Sequence, residues 1–333
     1  MSIPASGPAN SGPGLLVVRL GSMGDFIHAL PAVASLKQSF PALPLTWAIE
    51  PRWACLLEGN PFVDRAVLID RRSWSGLRDS LRRLRQWRYS AAIDFQGLIK
   101  SALVASFARP ARIYGFHQSQ LREPLAGLFY SSKVRAASAH VVDRNLEVAA
   151  AAGATSVLRC FPLPEGSPEG ALPPSPFVLA SPLAGWPAKQ WPLEYYAKLA
   201  DLLKQHLGLP LVLNGPPLAA PVLSQVAGAQ VHLSSISGLI HATRRALAVV
   251  GIDSGPLHLA AALSKPGAAI YGPTDPTRNG PYGGSISVLR SPHAATSYKR
   301  KNQIDQSMRD VRPEAVFAAL REQLERSGSP ASL

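Results

Sequence analysis

Two successive series of short apolar runs, each alternating with stretches of helical periodicity, constrain this chain more than any other feature. In the first series LLVVRL is followed by a helical pattern over about residues 25–39, then LTWAI, RAVLI, a helical pattern over about residues 75–87, SAAIDF and RIYGF. Strands interleaved with helices in this way build a parallel sheet covered on both faces, and doubly covered strands read as continuous apolar runs. Residues 161–176, FPLPEGSPEGALPPSP, then hold six prolines and two glycines, a density that neither a helix interior nor a central strand tolerates. The alternation restarts with FVLA, a helix over about residues 193–206, LPLVLN, a short helix, VHL, a helix over about 237–245, LAVVGID, a helix from Pro256, and GAAIYG. A last helical pattern over about 313–326 opens on a proline, where the missing N–H costs nothing.

The expected fold is therefore α/β, with two doubly wound, Rossmann-like domains facing a central cleft. Residues 15–160 form the first domain, 161–176 the linker and 177–326 the second, with tails at 1–14 and 327–333. The length of 333 residues supports this division, because one hydrophobic core rarely serves more than ~300.

Composition narrows the partners. A hydrophobic fraction of 47% against 17% charged residues is that of a folded chain, not a disordered one. The formal charge of +13 favours an acidic substrate, an anionic lipid surface or nucleic acid. Nucleic-acid binders interleave aromatics with their basic residues, and here only Trp74 and Trp87 accompany the arginine run. The first residues, MSIPASGPANSGPG, lack the basic and apolar regions of a signal peptide. No apolar run reaches the ~18 residues of a membrane helix. Cys55 and Cys160 have no CxxC spacing, which argues against zinc and a disulfide framework. A cytoplasmic protein touching a membrane only peripherally is expected.

Ligands of doubly wound sheets bind at the carboxyl ends of strands, so the motifs there carry the function. After the first strand, the text from Arg19 through Gly21, Ser22, Gly24 and Asp25 is a glycine-bracketed turn opening a helix. It is not GxGxxG, which argues against a dinucleotide cofactor. Asp25 is either a charge complementing the helix dipole or a general base taking a proton from an attacking hydroxyl. In the second half, Asp253, Ser254, Gly255 and His258 span another strand-to-helix corner, where backbone N–H groups can cradle a diphosphate. Asp253 alone reads equally as a helix cap and His258 alone as a buried histidine; together they point to a ligand. Thr274 follows the next strand, and Lys189 lies in the loop after the first strand of this half, suited to neutralising charge on a phosphate leaving group. The first half also carries Arg71, Arg72, Arg78, Arg82, Arg83, Arg85 and Arg88, with Lys100 and Arg122 further on. Arg78, Arg82 and Arg85 share one helix face. Arg71, Arg72, Lys100 and Arg122, at element ends, suit carboxylate or phosphate binding.

The motifs SMGDFIHALP, DFQGLIKSAL, REPLAGLFY, AKQWP, GIDSGPLHLAAAL and YGPTDP, in this order over residues 15–324, resemble the bacterial lipopolysaccharide core heptosyltransferases of glycosyltransferase family 9. The second and third resemble those of heptosyltransferase I. The resemblance implies a GT-B fold, an inverting and metal-independent transfer without a cofactor, an ADP-heptose donor held by the second half, and a Kdo-bearing lipid A acceptor. It implies Asp25 as the base, Lys189, Asp253, Ser254, Gly255 and His258 at the donor, and Lys100 and Arg122 at the anionic acceptor; Ser22, Gly24 and Thr274 are expected at the donor as well, and Arg71 and Arg72 at the acceptor. Two motifs depart from the family. After LPLVLN the family has Gly-x-Pro-x-Glu, whereas this chain has Gly215, Pro216, Pro217, Leu218, Ala219 and Ala220. The hydroxyl-rich loop before the lysine is replaced by Ser181, Pro182, Leu183, Ala184, Gly185 and Trp186. A same-fold transferase using another nucleotide sugar or envelope glycan, and a nucleotide-sugar epimerase, are the alternatives.

Overall fold

A computed structural model describes residues 12–297 and 302–328. The tail expected over 1–14 lies almost wholly outside the described residues, as does most of that over 327–333; Gly14 already belongs to the first strand. The chain divides into two compact units, Met1–Pro164 and Glu165–Leu333. The division falls inside the Pro- and Gly-rich stretch.

The first unit runs β1 (Gly14–Val18), α1 (Met23–Ser39), β2 (Leu45–Ile49), β3 (Arg65–Leu68), α2 (Trp74–Leu84), β4 (Tyr89–Asp94), α3 (Ile99–Phe107), β5 (Arg112–Phe116), β6 (Ser132–Val134) and α4 (Val141–Ala151). Its strands are all parallel in the order β3-β2-β1-β4-β5-β6. The second unit runs β7 (Val178–Ala180), α5 (Leu193–Leu207), β8 (Leu211–Gly215), α6 (Ala220–Leu223), β9 (Gln230–Leu233), α7 (Ile236–Arg245), β10 (Ala248–Ile252), α8 (Gly255–Ala262), β11 (Gly267–Tyr271), α9 (Pro276–Asn279), β12 (Ile286–Arg290), α10 (Gln306–Asp310) and α11 (Pro313–Arg326). Its parallel order, β12-β11-β10-β7-β8-β9, is the same topology traced from the other edge. Each sheet reverses its winding once, between β1 and β4 in the first unit and between β7 and β10 in the second. That reversal opens a crevice at the carboxyl ends of the two strands.

The central strands β1, β2, β7, β8, β10 and β11 are buried along their whole length, as doubly covered strands must be. In the first unit α2 and α3 cover one face, contributing Leu84, Ala102, Val104 and Ala105 to a core with Leu16, Val18 and Ala92. On the other face α1 packs against α4. α2 stops at Leu84, short of the expected residue 87, and Arg85 becomes its cap. Trp87 instead packs against the core, with the Arg65 guanidinium 3.7 Å from its ring centroid. In the second unit Trp191 and Tyr196 pack with α11 residues Val316, Leu320 and Leu324.

Trp191 is 1% exposed, and its indole N–H donates to the Val311 carbonyl over 2.8 Å. Replacing it removes a large buried ring and orphans that acceptor. Trp191→Ala is expected to cost about 3–5 kcal/mol, read as a lowered urea midpoint of the second unit's unfolding.

Candidate active site

In the first unit the crevice is framed by the turn after β1 and the loop after β4. Ser22 is the N-cap of α1, and Asp25 sits in the helix's first turn in a capping-box arrangement. Asp25 Oδ2 accepts from the Ser22 N–H at 3.2 Å and from its hydroxyl at 3.0 Å. Asp25 Oδ1 lies 2.5 Å from the guanidinium of Arg19, which is buried while the Asp25 side chain is 43% exposed. A rigid buried cation thus fixes a carboxylate that still faces outward. Gly24 is buried inside the first turn. Gly21 permits the close approach of Trp53, since a Cβ there would lie 2.5 Å from the indole nitrogen.

The loop after β4 depends on Asp94, which the motif reading did not single out. Asp94 is fully buried. Its Oδ1 accepts from the N–H groups of Gln96 and Gly97, and its Oδ2 from the hydroxyls of Ser101 and Tyr130 at 2.8 and 2.7 Å. Burial dominates and raises its pKa, with those four hydrogen bonds pulling the other way. From the shaped loop, Gln96 Oε1 accepts from the Leu20 N–H at 2.8 Å and the Phe95 carbonyl accepts from Arg19. Asp94 therefore organises the segment that holds Arg19, and Arg19 holds Asp25. An acidic residue closing an apolar strand beside the winding reversal was the available signal.

Arg71 and Arg72 line a cavity of about 300 Å³ with Glu50, Arg52 and Asp70. Arg71 and Arg52 both pair with Glu50. Lys100 is in the first turn of α3. Partial burial first, then the charge of Arg71, lower its ammonium pKa, partly offset by Glu50 and Glu123. Three of the four expected acceptor-side cations thus share one electrostatic neighbourhood. Arg122 is exposed just before the 3-10 turn Pro124–Phe129.

In the second unit Lys189 and His258 both meet Asp253, directly after β10. Lys189 ends the 3-10 turn Pro187–Lys189. Its Nζ is 2.6 Å from Asp253 Oδ2 and 4.7 Å from the centroid of the Trp186 ring. His258 Nε2 stands 3.6 Å from Asp253 Oδ1, and both residues are buried. Burial raises the Asp253 pKa, but hydrogen bonding by His258 and the Lys189 charge outweigh it, leaving the carboxyl well below its ordinary range. Asp253 does not cap α8: Ser254 occupies the N-cap position, without a side-chain capping bond. The buried Ser254 Oγ and Thr274 Oγ1 have no hydrogen-bond partner among the described residues. Buried hydroxyls left so are costly, and a bound polar ligand relieves that cost. Gly255 begins α8, so free backbone N–H groups and the positive helix end lie beside the Ser254 hydroxyl. Ser22 and Gly24, expected at the donor, lie with Asp25 in the first unit. Leu218, in the turn where the family has its acidic residue, is 94% exposed. Among the described residues no group of three or more His, Cys, Asp or Glu side chains is arranged to hold a metal ion.

Two Rossmann-like sheets of identical strand order in one chain, each with polar groups gathered at its winding reversal, place the protein in the GT-B class. Residues 78–308 match the model of glycosyltransferase family 9 (heptosyltransferase). The lipopolysaccharide heptosyltransferase 1 of Escherichia coli O18:K1:H7 (strain RS218 / NMEC) is 30% identical over 331 residues, covering 91% of this chain and 99% of that protein. The solved structure of E. coli heptosyltransferase WaaC with ADP matches with a TM-score of 0.75 at 27% identity, over 93% of this chain and 99% of that one. WaaC with ADP-2-deoxy-2-fluoro heptose matches with a TM-score of 0.73 at 27% identity, over 92% and 99%. The chain belongs to glycosyltransferase family 9, the heptosyltransferases, and is a glycosyltransferase.

The Asp253 environment sets a pH dependence. Its folded-state pKa lies below the unfolded value of about 3.9, so its contribution to stability is fully present above that value and is lost as pH falls toward the folded pKa. Asp253→Asn is therefore expected to lower the melting temperature at neutral pH, with the gap to the parent narrowing below about pH 4. Melting curves across this range check it; a gap of constant size contradicts it.

Proposed function

We propose that this chain transfers heptose from ADP-L-glycero-D-manno-heptose to the Kdo-lipid A inner core during lipopolysaccharide core biosynthesis, with inversion at the anomeric carbon. The observation that carries the reading is the corner at the end of β10. There Lys189, the α8 N-terminus and the unpartnered hydroxyl of Ser254 offer one anion a charge, backbone donors and a side-chain donor together. A nucleoside diphosphate fits that chemistry. The relatives and solved structures named for lipopolysaccharide heptosyltransferases, one bound to ADP and one to a fluorinated ADP-heptose, support the donor.

Asp25 accepts the proton of the acceptor hydroxyl while its oxygen attacks the anomeric carbon and the bond to the diphosphate oxygen breaks. A single carboxylate serves an inverting displacement, and Arg19 with Ser22 holds it in place. Charge developing on the departing ADP is met by Lys189 and the α8 N-terminus, an electrostatic role that takes the place of a metal ion. Asp253 and His258 keep the Lys189 ammonium oriented. The Pro217–Ala219 turn bears no carboxylate, so hydroxyls of the donor ribose or heptose are recognised elsewhere. Arg71, Arg72 and Lys100, with Arg122, receive the carboxylates and phosphates of the acceptor. The enzyme works on the cytoplasmic side with peripheral contact to the inner membrane; no helix among the described residues is long and apolar enough to cross one.

Asp25→Asn is expected to lower kcat by about 10²–10⁴-fold while ADP-heptose still raises the melting temperature as in the parent. An active variant removes the base assignment. Lys189→Ala is expected to weaken both turnover and thermal stabilisation by ADP, whereas stabilisation by UDP or GDP sugars in preference to ADP-heptose would overturn the donor.

A further inference from the structure

Four large apolar side chains project from the first unit on two adjoining elements. Leu103 and Phe107, one turn apart on α3, are each 49% exposed, and Leu125 and Leu128 of the turn Pro124–Phe129 are 63% and 76% exposed. Side chains at i and i+4 of an α-helix share a face, and those at i and i+3 of a 3-10 turn eclipse. That turn packs against α3, so the two pairs stand on adjoining elements. Single exposed leucines are ordinary, but several on packed elements mark an interaction surface. The core is made by other positions of the same elements, Ala102, Ala105, Ala126 and Phe129. Nothing in the fold requires Leu103, Phe107, Leu125 or Leu128 to be apolar.

The surround is basic. The Arg85 guanidinium stands 5.6 Å from the Phe107 ring centroid, and Arg82, Arg83 and Arg88 adjoin it in the sequence of α2 and its exit. Arg109 and Arg112 follow α3, and Arg122 precedes the turn, all exposed. Over residues 95–142 the chain has six lysines and arginines and one acid, Glu123, whose carboxylate accepts from the Ile99 N–H that opens α3. Up to Pro164 there are nineteen Lys plus Arg against ten Asp plus Glu, so this unit carries more than its share of the positive charge. Apolar side chains of this size on elements flanked in sequence by one sign of charge suit a plane of phosphates over hydrocarbon. A protein partner of ordinary mixed charge would leave many of these arginines unmatched.

We propose that α3 and the Pro124–Phe129 turn dock the enzyme on an anionic lipid bilayer. Leu103, Phe107, Leu125 and Leu128 enter the boundary between headgroups and acyl chains, and the surrounding arginines bind lipid phosphates. The proposal rests in part on the reading of a lipid-borne acceptor given above: Lys100 begins α3 and Arg122 leads into the turn, so the elements that bear acceptor-side cations are those placed at the lipid surface.

Flotation of the full chain with vesicles tests it, using phosphatidylcholine alone and phosphatidylcholine mixed with phosphatidylglycerol. The parent is expected to float with the mixed vesicles, to float poorly with phosphatidylcholine, and to detach as salt rises. Phe107→Ser combined with Leu125→Ser and Leu128→Ser is expected to reduce binding to the mixed vesicles by about tenfold or more. Its melting temperature and its heptose transfer to a delipidated, soluble acceptor should stay those of the parent. A parent that ignores phosphatidylglycerol vesicles, or a triple variant that binds them equally well, overturns the proposal. Self-association abolished by the same substitutions in a parent that ignores vesicles overturns it too, in favour of a second copy on this patch. A parent that floats as expected yet transfers no heptose to the soluble acceptor supports the docking surface and removes the functional reading alone.

Discussion

The architecture of the first unit's site hangs on one buried carboxylate. Asp94 closes β4 at the winding reversal, and its four hydrogen bonds fasten the loop, α3 through Ser101 and the following turn through Tyr130. The same loop presents Phe95 and Gln96 to the end of β1. A buried acid without partners would cost several kcal/mol, so the partners and the loop geometry stand or fall together. Gly97 fits this demand with a positive φ of 69° and a Cβ position only 2.5 Å from Leu121. The outward carboxylate, Asp25, is the last link in a chain that begins inside the sheet.

The second unit puts an acid at the matching place, Asp253 directly after β10, the fourth strand of its sheet. The two carboxylates are driven in opposite directions. Around Asp94 every recorded partner is neutral and burial prevails, so its pKa rises. Around Asp253 a histidine and a lysine overcome the same penalty, so its pKa falls. One position in one topology has become a structural clamp in one unit and an anchor for a cation in the other. The neighbours decide which, not the strand.

Much of this was legible in the sequence because doubly covered strands leave an unbroken apolar text: LTWAI and RIYGF coincide with β2 and β5, and GAAIY with β11. The division between units falls inside the Pro- and Gly-rich stretch, and two residues singled out from separate motifs, Lys189 and Asp253, form an ion pair. What stayed hidden was relational. α3 and α4 left too little periodic signal between apolar stretches, β6 is three residues long, and α2 ends at Leu84 with Trp87, beyond the helix, packed on the core. Arg19 was visible as a residue but not as the partner of Asp25. Asp94 reads locally as the end of an apolar strand; only its contacts with Tyr130, 36 residues away, give it a role.

The placement of charge follows the same logic of partnership. Arg19 and Lys189 are each drawn toward a carboxylate and shielded from water, which fixes their geometry. Arg82, Arg83, Arg85 and Arg88 are exposed, and Arg82 pairs with the exposed Asp79 at 3.4 Å, a pair worth little in water. Selection for stability therefore explains the inner cations and not the outer ones. An arginine that contributes little to folding, repeated along the elements that flank exposed Leu and Phe, is accounted for by a surface that supplies both phosphate and hydrocarbon, and a bilayer supplies the two at once.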